Sequence, residues 1–239
     1  LSTLRTKMDQ VMNGFEDTFP KLPKLDEFEQ KPMKMNLLQW CSWYGQDQLA
    51  GRVIQILKYD VNELVQDDWQ QRTPLLLAAQ RGHAKVLEKL IQFGADVEQP
   101  TVQLKTPLFR SASFGNEDCV RILLKYKAQI NTITKDDHTT ALYLAVQEGF
   151  EGCVKILLDS GADVNIPDDQ KISPLARSTI AGCNRIAKLL LDYGADVNLQ
   201  TELGKTPLLF ACDRGNTELT KCFLEKKADP NLFSTDRHT

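Results

Sequence analysis

Five short motifs recur along the chain at an almost fixed interval. Thr73-Pro74-Leu75, Thr106-Pro107-Leu108, Thr140-Ala141-Leu142, Ser173-Pro174-Leu175 and Thr206-Pro207-Leu208 are spaced 33, 34, 33 and 33 residues apart. A unit of that size is too small to bury an apolar face by itself. A chain built from such units must stack them into one continuous core rather than fold around a single centre. Nine residues after each Thr or Ser stands a glycine: Gly82, Gly115, Gly149, Gly182 and Gly215. Counted from that glycine, offsets +4, +5, +8 and +9 are nearly all apolar, as in Val86, Leu87, Leu90 and Ile91 or Cys153, Val154, Leu157 and Leu158. That spacing sets four side chains on one helical stripe.

Local chemistry supplies the boundaries. Thr before Pro is an N-cap followed by proline at the first helical position, where the missing N–H costs nothing. The pattern predicts a short helix from Pro74 to about Gln80, a break at Gly82, and a second helix carrying the stripe. Gly94, Gly161 and Gly194 are placed to end that helix in the left-handed conformation. A polar loop then leads to the next Thr-Pro. Each unit reads helix, turn, helix, extended loop.

The stretches "TPLLLAAQRGHAKVLEKLIQFGADV" (Thr73–Val97), "TALYLAVQEGFEGCVKILLDSGADVN" (Thr140–Asn165) and "GCNRIAKLLLDYGADVN" (Gly182–Asn198) resemble the ankyrin-repeat family. The resemblance implies an all-α solenoid and a protein-binding role. Five units cover 67–231, and a degenerate unit at 36–66 precedes them. There Leu38, Trp40, Cys41 and Gly45 take the conserved slots, and "KYDVN" (Lys58–Asn62) stands for Gly-Ala-Asp-Val-Asn. Residues 232–239 start a further unit, and residues 1–35 form a non-repeating extension. Two departures stand out. The histidine that the family carries after Thr-Pro-Leu is replaced by Leu76, Phe109, Tyr143, Ala176 and Leu209, so its polar tie must be lost or replaced. The loop-tip glycine survives only as Gly204, with Gln71, Leu104, His138 and Lys171 elsewhere.

Several function classes fall away. Gly204-Lys205-Thr206 imitates the end of a phosphate-binding loop, but the glycine needed five residues earlier is Leu199. No nucleotide or other cofactor is expected. A net charge of −3 gives no basic surface for nucleic acid. No apolar run approaches the roughly 18–20 residues of a membrane span, so no membrane contact is expected from this sequence. The six cysteines show no C-x-x-C pairing. Cys119 and Cys153 share a stripe slot, while Cys41 and Cys212 are read as small buried residues of first helices. Free core thiols suit a reducing cytosol or nucleus. No nucleophile–base motif is evident, and the chain is not expected to be an enzyme. The acid pairs Asp67-Asp68, Asp136-Asp137 and Asp168-Asp169 recur in register at loop tips, where they are read as a solvated rim favouring basic partners.

What remains is a binding surface. The resemblance implies docking of a protein or peptide on the concave face, made by loop tips and the exposed side of each first helix. The positions just before the turn glycines supply Trp43, Tyr44, Arg81, Phe114, Ile180 and Arg214. Trp69 sits at a loop tip, and Arg110 and Arg177 occupy a slot that is elsewhere Leu77, Leu144 or Phe210. Aromatics and arginines dominate protein interfaces energetically. In residues 1–35, Leu1, Leu4, Met8, Val11, Met12 and Phe15 follow helical spacing, and "FPKLPKL" reads as a linker. This segment is expected to cap the stack or to dock on a partner. The next step of the period lands on Thr239, so the array is expected to continue past it. Two alternative settings follow from the resemblance. One is the cytosolic domain of an ankyrin-bearing transient receptor potential channel. The other is the substrate-recruiting arm of a SOCS-box ubiquitin ligase.

Overall fold

A computed structural model describes residues 35–65 and 70–232, which fall into two compact units dividing after Pro107. All regular structure among the described residues is helical. The first unit holds α1 (Leu37–Tyr44), α2 (Asp47–Arg52), a π-helical turn (Val53–Leu57), α3 (Pro74–Arg81) and α4 (Ala84–Gln92). Helix α5 (Pro107–Ser113) begins on the last residue of that unit. The second unit continues with α6 (Glu117–Lys125), α7 (Ala141–Gln147), α8 (Glu151–Asp159), α9 (Pro174–Ala181), α10 (Asn184–Asp192), α11 (Pro207–Asp213) and α12 (Thr217–Glu225).

The helices begin where the sequence places them. The hydroxyls of Thr73, Thr140, Ser173 and Thr206 accept from the backbone N–H three residues on, at 3.1–3.3 Å. Each such cap stabilises its helix by about 1 kcal/mol. In the degenerate unit the cap is Asn36, in a reciprocal box with Gln39. Within the first unit α1 packs on α3 and α2 on α4. Within the second, α7, α9 and α11 stack in one row and α6, α8, α10 and α12 in another. The stripe is the core: Val86, Leu87, Leu90, Cys119, Val120, Leu123, Cys153, Val154, Leu157, Ile186, Leu190, Leu219 and Phe223 are all buried.

Left-handed backbone recurs at two places in the repeat. Lys58, Lys127 and Lys227 hold the slot after the second helix that Gly94, Gly161 and Gly194 fill elsewhere. Their φ values of 54°, 67° and 66° show that the turn keeps its glycine geometry without glycine. The loop tips behave alike: Gln71, Leu104, His138 and Lys171 have φ of 53–61° where Gly204 has 75°. Each loop closes by a backbone bond, from Val65 N–H to Arg72, Thr101 to Lys105, Thr134 to Thr139, Asp168 to Ile172 and Thr201 to Lys205.

A polar ladder joins the units' repeats. Asn62 Oδ1 accepts from Asp96 N–H in the first unit. In the second, Asn131, Asn165 and Asn198 accept from Asp163, Asp196 and Asp229 at 2.8–3.0 Å. The Asp-x-Asn pattern of the sequence is thus a register device. The Asp carboxylate binds its own turn, and the Asn reaches the next repeat.

Candidate functional site

The twelve residues that immediately precede the six turn glycines, from Trp43-Tyr44 to Asp213-Arg214, are all exposed or half-buried. The reason is helical geometry. The residues three and four positions before the glycine point inward in five of the six repeats, as with Ala78 and Ala79 or Ser178 and Thr179, so the last two turn away.

In the first unit this edge is aromatic and cationic. Trp43 is half-buried, and the Arg81 guanidinium lies 4.8 Å from its ring centroid. Arg72 approaches the same ring at 5.9 Å. Tyr44 is 44% exposed, with its ring 4.8 Å from that of Trp40. The Trp43 carbonyl accepts from His83 Nε2 at 2.9 Å, which fixes the imidazole proton on that nitrogen. His83 in turn fills the space beside Gly45, where an added Cβ would sit 2.6 Å from Nδ1. Neither α1 nor α3 contains an Asp or Glu. Trp69 and the pair Asp67-Asp68 lie outside the described residues.

The second unit is arranged differently. Phe114 is 48% exposed and Arg214 is exposed, while Arg110 and Ile180 are half-buried. Arg177 does not simply look outward. Its Nε donates to Tyr143 Oη at 2.7 Å, its Nη2 pairs with Asp168 Oδ2 at 3.2 Å, and it lies 5.4 Å from the Tyr143 ring. Tyr143 Oη donates to the same Asp168 oxygen at 2.5 Å. Burial, then the bond to Asp168, pushes the Tyr143 hydroxyl well above its ordinary range against the opposing pull of Arg177.

Two sequence expectations need correction here. Asp168 was expected in a solvated rim, yet it is buried. It occupies the slot, five residues before the cap, that Thr101 and Thr201 hold in other repeats. Its Oδ1 accepts from the N–H groups of Gln170 and Ile172, as their hydroxyls accept from Lys105 and Lys205. Asp137 accepts from the Thr134 and Thr139 hydroxyls yet stays exposed, as expected of the rim. Among the described acids of these pairs, Asp168 alone leaves the rim. Cys212 was expected to be buried and is exposed. It shares its slot with buried Val146 and Thr179. In those repeats the following first helix packs over the row, whereas the described residues include no first helix after α11. Cys41, Cys119 and Cys153 are buried as expected, and burial pushes the Cys153 thiol up to about 11.

The Tyr143–Asp168–Arg177 cluster was not found by reading motifs. The signal was present: a tyrosine in the histidine slot, and an acid in a loop-closing threonine slot one repeat later.

A family described as ankyrin repeats (3 copies) matches residues 37–136, 100–168, 132–201 and 175–239. The chain belongs to the ankyrin-repeat family. Ankyrin repeats are protein-interaction modules and are generally non-catalytic. Relatives include the ankyrin repeat and KH domain-containing protein mask-1 of Caenorhabditis elegans, 38% identical over 105 residues, which are 43% of this chain and 4% of that protein. A transient receptor potential cation channel subfamily A member 1 homolog from the same organism is 27% identical over 50% of this chain and 10% of its own length. Mouse ankyrin repeat and SOCS box protein 11 is 30% identical over 43% of this chain and 31% of its own length. The aligned region is thus a minor part of each of these proteins. Among the described residues of this ankyrin array, no helix is long and apolar enough to cross a membrane. No group of three or more His, Cys, Asp and Glu side chains is gathered there to hold a metal.

Proposed function

We propose that this chain is a non-catalytic interaction module that binds a protein or peptide through the exposed ends of its first helices and the adjoining loop tips, the concave side of such arrays. The observation carrying this reading is that, in each unit, the residues just before the turn glycines reach solvent. Trp43, Tyr44, Arg81 and Phe114 stand there, while the same helices' inward positions are buried. Trp69, Arg110, Arg177, Ile180 and Arg214 complete the proposed surface. A large half-exposed aromatic next to an arginine combines high buried area with directional hydrogen bonding, the mixture that anchors interfaces. Free cysteines in the core suit a reducing cytosol or nucleus as its compartment.

The test is to place a photo-crosslinking residue at Tyr44 or Phe114, and separately at Lys85 or Lys188 on the exposed sides of second helices. Crosslinks in cells are expected from the first pair and not the second. Alanine at Phe114, Arg81 or Arg110 should cost a captured partner about 2 kcal/mol or more in affinity. The opposite ranking would move the site to the second-helix face. A channel domain is the second reading, favoured by the alignment of half of this chain with the transient receptor potential relative. The full-length transcript decides it, since a channel requires membrane-spanning sequence.

A further inference from the structure

The first unit presents an arginine whose planar face is covered and whose hydrogen-bonding edge is not. Arg81 is exposed, and its guanidinium lies 4.8 Å from the Trp43 ring centroid. Stacking on an aromatic holds the guanidinium at a fixed inclination without using its N–H donors. Those donors form a rigid fork that matches a carboxylate with two parallel hydrogen bonds. Arg72 lies 5.9 Å from the same ring, and α1 and α3 carry no acidic side chain. Four acids of the unit are engaged in other bonds: Asp47 beside Lys89, Glu63 on Asn36, and Asp60 and Asp96 in their own turns. Tyr44, next to Trp43 in the chain, leaves an aromatic ring 44% exposed. Arg177 of the second unit shows what the alternative looks like. That guanidinium already has a carboxylate in Asp168.

We propose that Arg81, held on Trp43, receives a carboxylate of an acidic segment of the partner protein. The first unit therefore selects acidic chains, where the loop-tip acids alone would favour basic ones. This rests on the interaction-module reading and names the chemistry of its ligand. The adjacent Tyr44 and the Trp43 edge take an apolar residue next to the acid. The fork distinguishes a carboxylate at this point from diffuse attraction, because a lysine keeps the charge but loses both the stack and the two parallel bonds.

A phage-displayed library of random dodecapeptides, selected against the immobilised 239-residue chain, reads this directly. Enrichment of Asp and Glu over the unselected library is expected. The best acidic peptide, made synthetically, should bind Arg81→Gln at least tenfold more weakly, and Arg81→Lys nearly as weakly, while Lys188→Gln leaves it unchanged. Thermal melts of all three variants within a few degrees of the parent establish that the fold is kept. Enriched peptides without acidic residues, or acidic peptides indifferent to Arg81→Gln, overturn the carboxylate assignment while leaving a binding module. Full binding by Arg81→Lys also overturns it, because charge alone would then suffice. No enrichment of any peptide overturns both readings together.

Discussion

Arg81 in the first unit and Arg177 in the second sit on equivalent kinds of helix and lie over aromatic rings at 4.8 and 5.4 Å, yet their surroundings differ. Arg81 is near the surface with no acid on either first helix of its unit. Arg177 is engaged by Asp168 and the Tyr143 hydroxyl, both residues buried. The difference comes from the arginines' own positions, Arg81 at the end of its helix and Arg177 in its first turn, and from two other slots. A tyrosine stands where the family usually has histidine, and an aspartate stands where neighbouring loops use threonine. The lesson is that an arginine on a first helix is a binding residue or a structural one depending on what the loop before it and the preceding first helix offer it.

The largest effect expected from testing this comparison is at Asp168. Asp168→Ala leaves the half-buried Arg177 and the Tyr143 hydroxyl without their shared acceptor and removes two loop-closing bonds. It should cost about 3 kcal/mol in chemical denaturation, within the range for broken buried pairs. Tyr143→Phe should cost about 1–2 kcal/mol. It also has a pH signature. The folded state holds this hydroxyl protonated above its ordinary value of about 10, so its contribution is complete below that pH and is lost as pH rises beyond it. Wild type should therefore lose more stability than Tyr143→Phe on going from about pH 9.5 to pH 11. Equal alkaline losses would show that Tyr143 ionises as freely folded as unfolded.

Next come the turn glycines. An alanine Cβ at Gly115 would lie 2.7 Å from the Phe150 ring, and at Gly182 it would meet nothing within 4 Å, although both have φ above 70°. Gly115→Ala should cost about 2–3 kcal/mol and Gly182→Ala about 1 kcal/mol. In the first unit, Gly45→Ala drives against His83 at 2.6 Å and so threatens the bond that His83 makes to Trp43. Differential scanning calorimetry that ranked Gly182→Ala as the most harmful of the three would break the packing argument.

A smaller gain is expected at Lys127. Its φ of 67° is a glycine-like conformation. Lys127→Gly should raise stability by about 0.5–1 kcal/mol, after allowing for the entropy glycine adds to the unfolded chain. Lys58→Gly in the first unit should act in the same direction, since its φ is 54°. A fall in the denaturation midpoint of both would mean that the lysine side chains contribute contacts worth more than the strain.

The smallest effect closes the comparison. Arg81→Ala removes only an exposed stacking contact and should shift stability by no more than about 0.5–1 kcal/mol. Arg177→Ala, which leaves Asp168 buried with a charge, should cost clearly more. If denaturation curves showed the two losses to be the same, the assignment of one arginine to binding and the other to structure would fail.

Much of the fold is written locally. The Thr-Pro caps, the turn glycines, the period of 33 and the stripe all use chemistry confined to a few residues, because caps and helical periodicity depend only on near neighbours along the chain. Even the left-handed turns at Lys127 and His138 follow from counting repeats, since register alone assigns them the backbone of their glycine counterparts. The exposed edge before each glycine was legible for the same reason. The fate of particular polar side chains was not. Asp168 reads as a loop-tip acid until Tyr143, 25 positions earlier, is laid against it, and Cys212 reads as a core residue until the packing over its slot is known. Trp43 and Arg81 stand 38 positions apart and meet only because α1 packs on α3. Burial, pairing and stacking between repeats are set by which surfaces come together in space. The one-dimensional pattern therefore determined the scaffold, and the tertiary structure decided which of its charges are engaged within the protein and which face outward.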